Sequence, residues 1–236
     1  MKYLDMERLI GQPSAPPSDP RTVSTLLAAQ LGELEDALSA LPTDTPLSER
    51  NRLQLQCGYT LLDLGRNPEA WQRTRPLLEP TVAAENWLQA VEICDILYRS
   101  EQHESLKALA HGVWLGVTYP IDPELSVAML QHIVEETPDH SDGGAVAAAV
   151  ANYLVDLRAS GEQRETLHFF TTQLLGEVAR RHSQVEEKEI FDFWVEQLAL
   201  NDPAKLLPHL AKMLDLLVTD GWWFDRDQLR SRIPEA

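Results

Sequence analysis

The sequence predicts an all-α chain of stacked helical hairpins with a C-terminal helical extension. Three observations predict it. Apolar residues recur at three- and four-residue spacing almost everywhere from Arg21 onward, no segment alternates apolar and polar residues at period two, and several helical stretches open on a capping side chain followed by proline. Together they indicate about ten to twelve helices and no sheet.

The bulk numbers agree with a globular chain. Its 236 residues are 44% hydrophobic and 24% charged, which is ordinary for a folded soluble protein. No apolar run approaches the ~20 residues that a membrane-spanning helix needs. The first ten residues, MKYLDMERLI, carry acids among their apolar positions and lack a signal-peptide core, so a cytoplasmic location is the expectation. Cys57 and Cys94 form no CxxC pair and sit in helical apolar contexts, where a thiol acts as a small hydrophobe. The net charge of −17 argues against nucleic acid as a partner, because Lys and Arg supply phosphate binding.

Taken in order, Tyr3, Leu4, Met6, Leu9 and Ile10 could form one apolar helical stripe. Ten residues do not hold a helix alone in water, so this peptide either docks or frays. Gly11 to Pro20 (GQPSAPPSDP) has four prolines and no large apolar residue, and reads as a polyproline-like linker. Residues 1 to 20 are therefore set apart from a helical domain over 21 to 236, with a subdivision expected near 140. Val23, Leu26, Leu27, Leu31, Leu34 and Leu38 mark the first long helix, and PTDTP breaks the chain near 42 to 46. Later starts share a chemistry. Asn67-Pro68, Asp122-Pro123 and Asp202-Pro203 each place a capping side chain before a proline whose missing N–H costs nothing there. Ser141-Asp142 offers a cap before the alanine-rich GGAVAAAVANYLVDL, whose small residues would let a neighbouring helix come close.

The stretch LLDLGRNPEAW, residues 61 to 71, ends one helix on Leu-Gly and opens another on Asn-Pro-Glu. Gly58 would let a facing helix approach, Ala70 would fill a tight spot, and Gly65 can take the positive φ that ends a helix. Pro76 falls inside the second helix and should kink it. This arrangement over residues 51 to 84 resembles a tetratricopeptide repeat, a 34-residue helix–turn–helix unit. Gln54, Cys57, Leu61 and Thr74 depart from that family's Trp, Leu, Tyr and Phe positions. A more degenerate copy spans 86 to 119, with Ser105 in the place of Ala70 and Ile93 in that of Gly58. The resemblance implies a solenoid whose concave face is lined by the first helix of each pair. By position it nominates Arg52, Leu55, Tyr59, Leu62 and Asp63 in the first unit, and Trp87, Ala90, Cys94, Leu97 and Tyr98 in the second. Tyr59, Trp87 and Tyr98 stand out, because aromatics with a polar tip are typical interface anchors.

Other constellations compete for attention. From Ala108 to Leu157 there is no lysine or arginine, and the acids there include Glu135, Glu136, Asp139 and Asp142. Such a sector suits a basic partner. His132 and Glu136 share a helix face one turn apart, with His140 following in a loop, a donor set that could ligate a metal. Glu165 and His168 form a lone ExxH without the second copy that di-iron bundles need. No G-x-S-x-G, P-loop or dinucleotide fingerprint occurs. Near the C-terminus, Trp222, Trp223 and Phe224 are contiguous, so one helix cannot turn all three to one core. Arg226, Arg230 and Arg232 follow, and this end could meet the acidic sector of another copy in a homo-oligomer.

The expectation is thus a non-enzymatic scaffold, adaptor, assembly chaperone or accessory subunit that holds a segment of a partner protein and needs no cofactor. Two alternatives are a helical metalloprotein using His132, Glu136 and His140, and a structural subunit docking through Trp222 and Trp223.

Overall fold

The computed structural model describes residues 2–4 and 20–233, and among these the regular structure is helical with no strand. Residues 5–19, which hold all of the proline-rich linker but Pro20, lie outside the described residues, and Pro20 is the first residue of a helix. The helices are α1 (Pro20–Ala40), α2 (Leu47–Asp63), α3 (Asn67–Thr74), α4 (Leu78–Ala83), α5 (Trp87–Arg99), α6 (Ser105–Thr118), α7 (Pro123–Glu136), α8 (Asp142–Arg158), α9 (Gly161–Ser183), α10 (Lys188–Gln197), α11 (Pro203–Leu217) and α12 (Arg226–Arg230). A 3-10 turn, Arg75–Leu77, separates α3 from α4, where Pro76 interrupts the hydrogen-bond ladder as expected. No described helix is long and apolar enough to cross a membrane.

The chain divides into two compact units, one of residues 26–112 and 215–236 and the other of 1–25 and 113–214. The divisions fall inside α1, α6 and α11; position 140, where the sequence suggests a subdivision, lies within the second unit.

In the first unit, α2 and α3 form the hairpin anticipated from LLDLGRNPEAW. Gly65 sits at φ +68°, its N–H donates to the Leu62 carbonyl at 2.9 Å, and the Arg66 N–H reaches back to the Leu61 carbonyl at 2.8 Å. These two bonds close the last turn and satisfy carbonyls that α2 would otherwise leave open. Ala70 is fully buried. A Cβ built on Gly58 would lie 2.9 Å from Ile96 Cδ1 and 3.0 Å from Thr74 Oγ1, so glycine here lets α2 close on α3 and α5. Asn67, expected as a cap, is instead the first residue of α3, behind Arg66. Asn86 does cap α5, its side chain accepting the Gln89 N–H at 3.4 Å. Leu78, Ile93, Cys94, Ile96 and Leu97 have no exposed surface, and burial of each large side chain contributes roughly 1.5–3 kcal/mol. Helix α1 contributes little to this core: Leu31 is buried, while Leu26 of the same stripe is 65% exposed.

The second unit is built on α7, α8 and α9. Residues 143 to 151 of α8 are all buried, because its glycines and alanines let α7 and α9 approach from two sides. Asp122 caps α7 by accepting the Glu124 N–H at 3.0 Å, and Ser141 rather than Asp142 caps α8 through the Gly143 N–H at 3.4 Å. Asp142 is the first helical residue. Arg158, at the end of α8, donates one N–H each to the Gly116 and Val117 carbonyls, both at 2.6 Å. That fork neutralises the negative end of α6 without any carboxylate in the contact. Leu206, Leu210 and Leu214 form the buried stripe of α11, with Pro208 tolerated on its exposed side.

Candidate functional site

The residues nominated along α2 and α5 separate into two groups. Leu55 is 3% exposed, and Ala90, Cys94 and Leu97 are completely buried, so these four pack between helices and do not line a contact surface. Position within a resembled repeat does not say which residues a neighbouring helix will cover, and burial here goes to these four. Tyr59, Leu62, Trp87 and Tyr98 are half-buried, and Arg52 and Asp63 are exposed. Burial raises the Cys94 thiol far above its ordinary range and also raises Cys57. Both thiols are free and buried, and act as core hydrophobes.

Tyr59 is held in a specific way. Its hydroxyl donates to Asp95 Oδ2 at 3.0 Å, Asp95 is buried and lies 3.7 Å from the Arg99 guanidinium, and Arg99 stands 5.7 Å from the centre of the Tyr59 ring. The assembly ties α2 to α5 and fixes the tyrosine ring at a half-buried position. A ring immobilised before contact loses less freedom when a partner covers it. Sequence reasoning missed Asp95 and Arg99. The signal was present, because Tyr59 and Asp95 are 36 positions apart, about one repeat.

The acidic residues Glu135, Glu136, Asp139 and Asp142 are exposed, but the basic residues absent from their own segment arrive from α9. Arg181 lies 3.9 Å from Asp139, and His182 Nε2 is 3.0 Å from Asp142. Glu135 is approached by Gln131 at 3.0 Å and by His132 at 3.3 Å. A cavity of about 550 Å³ beside them is lined by Glu135, Glu177, Arg180 and Arg181 among others, so its charge is mixed.

The structure does not gather His132, Glu136 and His140 into a donor set. His140 Nδ1 pairs with the His182 carbonyl at 2.8 Å, and His132 turns to Glu135. Among the described residues no three His, Cys, Asp or Glu side chains converge so as to hold a metal ion.

The C-terminal aromatics close on their own unit. The His111 ring lies 4.7 Å from Trp222, 4.4 Å from Trp223 and 5.0 Å from Phe224. The Trp223 N–H donates to His111 Nε2 at 2.7 Å, and His111 Nδ1 pairs with the Lys107 carbonyl at 2.7 Å. These partners assign a neutral ring with its proton on Nδ1. Burial is the main reason that the pKa of His111 falls to about 4, and the nearby cations Lys107, Arg75 and Arg226 push the same way. Arg75 stacks 4.0 Å from the Trp223 ring, and Arg226 stacks 4.0 Å from Trp222 while binding Asp215 at 2.7 Å. Trp222 and Trp223, nominated as partner contacts, are half-buried and engaged in this latch. Nothing in the sequence pointed to His111, whose hydrogen-bond partner Trp223 lies 112 positions away.

No protein-family model, curated protein or solved structure matches the chain.

Proposed function

We propose that the chain is a non-enzymatic protein-binding scaffold, built of tetratricopeptide-like hairpins, that holds a segment of a partner protein as an adaptor, assembly chaperone or accessory subunit. The contact surface is the half-buried set Tyr59, Leu62, Trp87 and Tyr98, flanked by exposed Arg52 and Asp63. The observation that carries this reading is the Tyr59–Asp95–Arg99 assembly, which presents an immobilised aromatic between two helices. The paired helices α2 and α3, joined through the tight turn at Gly65 and close-packed at Gly58, are the second support.

The test is comparative affinity capture from the native source, with wild-type protein beside Tyr59→Ala and Trp87→Ala. Circular dichroism verifies that all three are equally helical. An anchor of this kind is worth more than about 1 kcal/mol, so each variant should weaken a captured partner roughly fivefold or more. Folded variants that retain the partner at wild-type affinity would remove the surface from consideration.

A further inference from the structure

In the second unit, a cavity of about 550 Å³ opens between the C-terminal halves of α7 and α9. Its apolar lining is Val134, Leu174 and Val178, three side chains that are otherwise buried. Its charged lining is divided by sign. Glu135 comes from α7 and Glu177 from α9, while Arg180 and Arg181 follow Glu177 about 4.5–6 Å further along the helix axis. Arg181 is seated by the fold. It donates to the Val134 carbonyl at 2.7 Å, and a Cβ built on Gly144 would lie 2.6 Å from its Nη2, so this glycine of α8 makes room for the guanidinium. Glu177 and Arg180 are different. Both are exposed and stand one turn apart, yet neither side chain forms a hydrogen bond or ion pair with any described residue.

These groups select a ligand by charge. A lone anion drawn to the two arginines would meet Glu135 and Glu177, and a lone cation drawn to the glutamates would meet Arg180 and Arg181. The backbone inside a polypeptide carries neither charge. A small molecule with a carboxylate and an ammonium satisfies both sets at once, and an aliphatic body between them covers Val134, Leu174 and Val178. The spacing sets its size. In a single amino acid both charges sit on one carbon, whereas the ends of an extended dipeptide lie up to about 7 Å apart, close to the separation along α9. We propose that this cavity binds a free aliphatic dipeptide, with its carboxylate on Arg180 and Arg181 and its ammonium on Glu177 and Glu135. A guanidinium takes a carboxylate through two parallel N–H bonds, and the donors of Arg180 are uncommitted among the described residues. The cavity volume lies within the roughly 300–1,000 Å³ of small-molecule sites. This site shares no residue with the Tyr59 surface, so either can fail alone.

The experiment is a proton–nitrogen NMR titration of the full chain with the dipeptide leucyl-leucine, whose affinity at ordinary ligand efficiency should be on the order of 0.1–1 mM. The amides of residues 131–135 and 174–181 should move. The N-acetylated dipeptide lacks the ammonium and the C-terminal amide lacks the carboxylate, so each should bind about fivefold or more weakly. Two variants separate a ligand contact from a structural role. Arg180→Gln should weaken leucyl-leucine about fivefold or more and leave the C-terminal amide unchanged, since that ligand has no carboxylate to lose. Glu177→Gln should weaken leucyl-leucine likewise and leave the N-acetylated form unchanged. Neither side chain has a partner among the described residues, so both variants should keep the wild-type fold by circular dichroism. No shift with leucyl-leucine up to about 10 mM, shifts away from the cavity, or capped dipeptides binding as well as the free one would each overturn the proposal. So would inorganic phosphate moving the same amides with equal affinity, or either variant weakening all three dipeptides alike.

Discussion

Protonating His111 should release the C-terminal latch, and the size of the effect follows from the structure. The ring has no exposed surface, and its Nε2 lone pair is the acceptor for the Trp223 N–H. A second ring proton would point at that N–H and add a buried charge among Lys107, Arg75 and Arg226. The folded-state pKa, about 4, lies below the ordinary 6.5. The stabilising contribution is therefore complete above pH 6.5 and is lost as pH falls toward 4. At about 1.4 kcal/mol per pH unit the ceiling is roughly 3 kcal/mol, of which about 2 kcal/mol should be gone at pH 5. In urea, with a slope of about 2–3 kcal/mol per molar, that loss moves the midpoint down by roughly 0.7–1 M between pH 8 and pH 5. Tryptophan fluorescence follows the transition, Trp222 and Trp223 being two of the six tryptophans. Carboxylates titrate in part of the same range, so the readout is the difference between wild type and His111→Gln, which cannot take the proton. Identical pH dependence in the two proteins would refute the reasoning.

Gly58→Val should cost about 1–3 kcal/mol in chemical denaturation, because its branches meet Ile96 and Thr74. Gly58→Ala should be close to neutral, since the Ile96 methyl can shift and the gain in helix propensity offsets the crowding. The Thr74 hydroxyl is buried and has no hydrogen-bond partner among the described residues, so Thr74→Val should raise stability by about 1 kcal/mol, and a lower melting temperature would contradict this. Arg158→Ala should destabilise by about 2–3 kcal/mol, and Arg158→Lys should recover only part, because one ammonium cannot serve two carbonyls in a fork. Full recovery by lysine would show that charge alone suffices.

What was legible in the sequence was local. Gly65 ends α2, Pro76 breaks α3 from α4, and Asp122 and Ser141 cap their helices, because each event depends on residues within one turn. Asn67 shows the limit even there, since the helix began one residue earlier than its cap chemistry suggested. The candidate site was legible only through the resemblance. The resemblance to a helical repeat nominated Leu55, Tyr59, Leu97 and Tyr98 by position, but position in a repeat does not say which of them a neighbouring helix will cover.

By itself, then, the sequence determined that the chain is helical, where many helices stop and start, and that one hairpin is close-packed at Gly58. Tertiary structure decided the rest: that Leu55 and Leu97 are core while Tyr59 is held at the surface by Asp95, that Trp223 closes on His111, that Arg181 and His182 answer the acidic segment, and that Tyr3–Leu4 settle on Glu124. The reason is physical. Backbone conformation is governed by sterics and hydrogen bonds over a few residues, whereas burial and charge pairing depend on which distant segments the folded chain brings together.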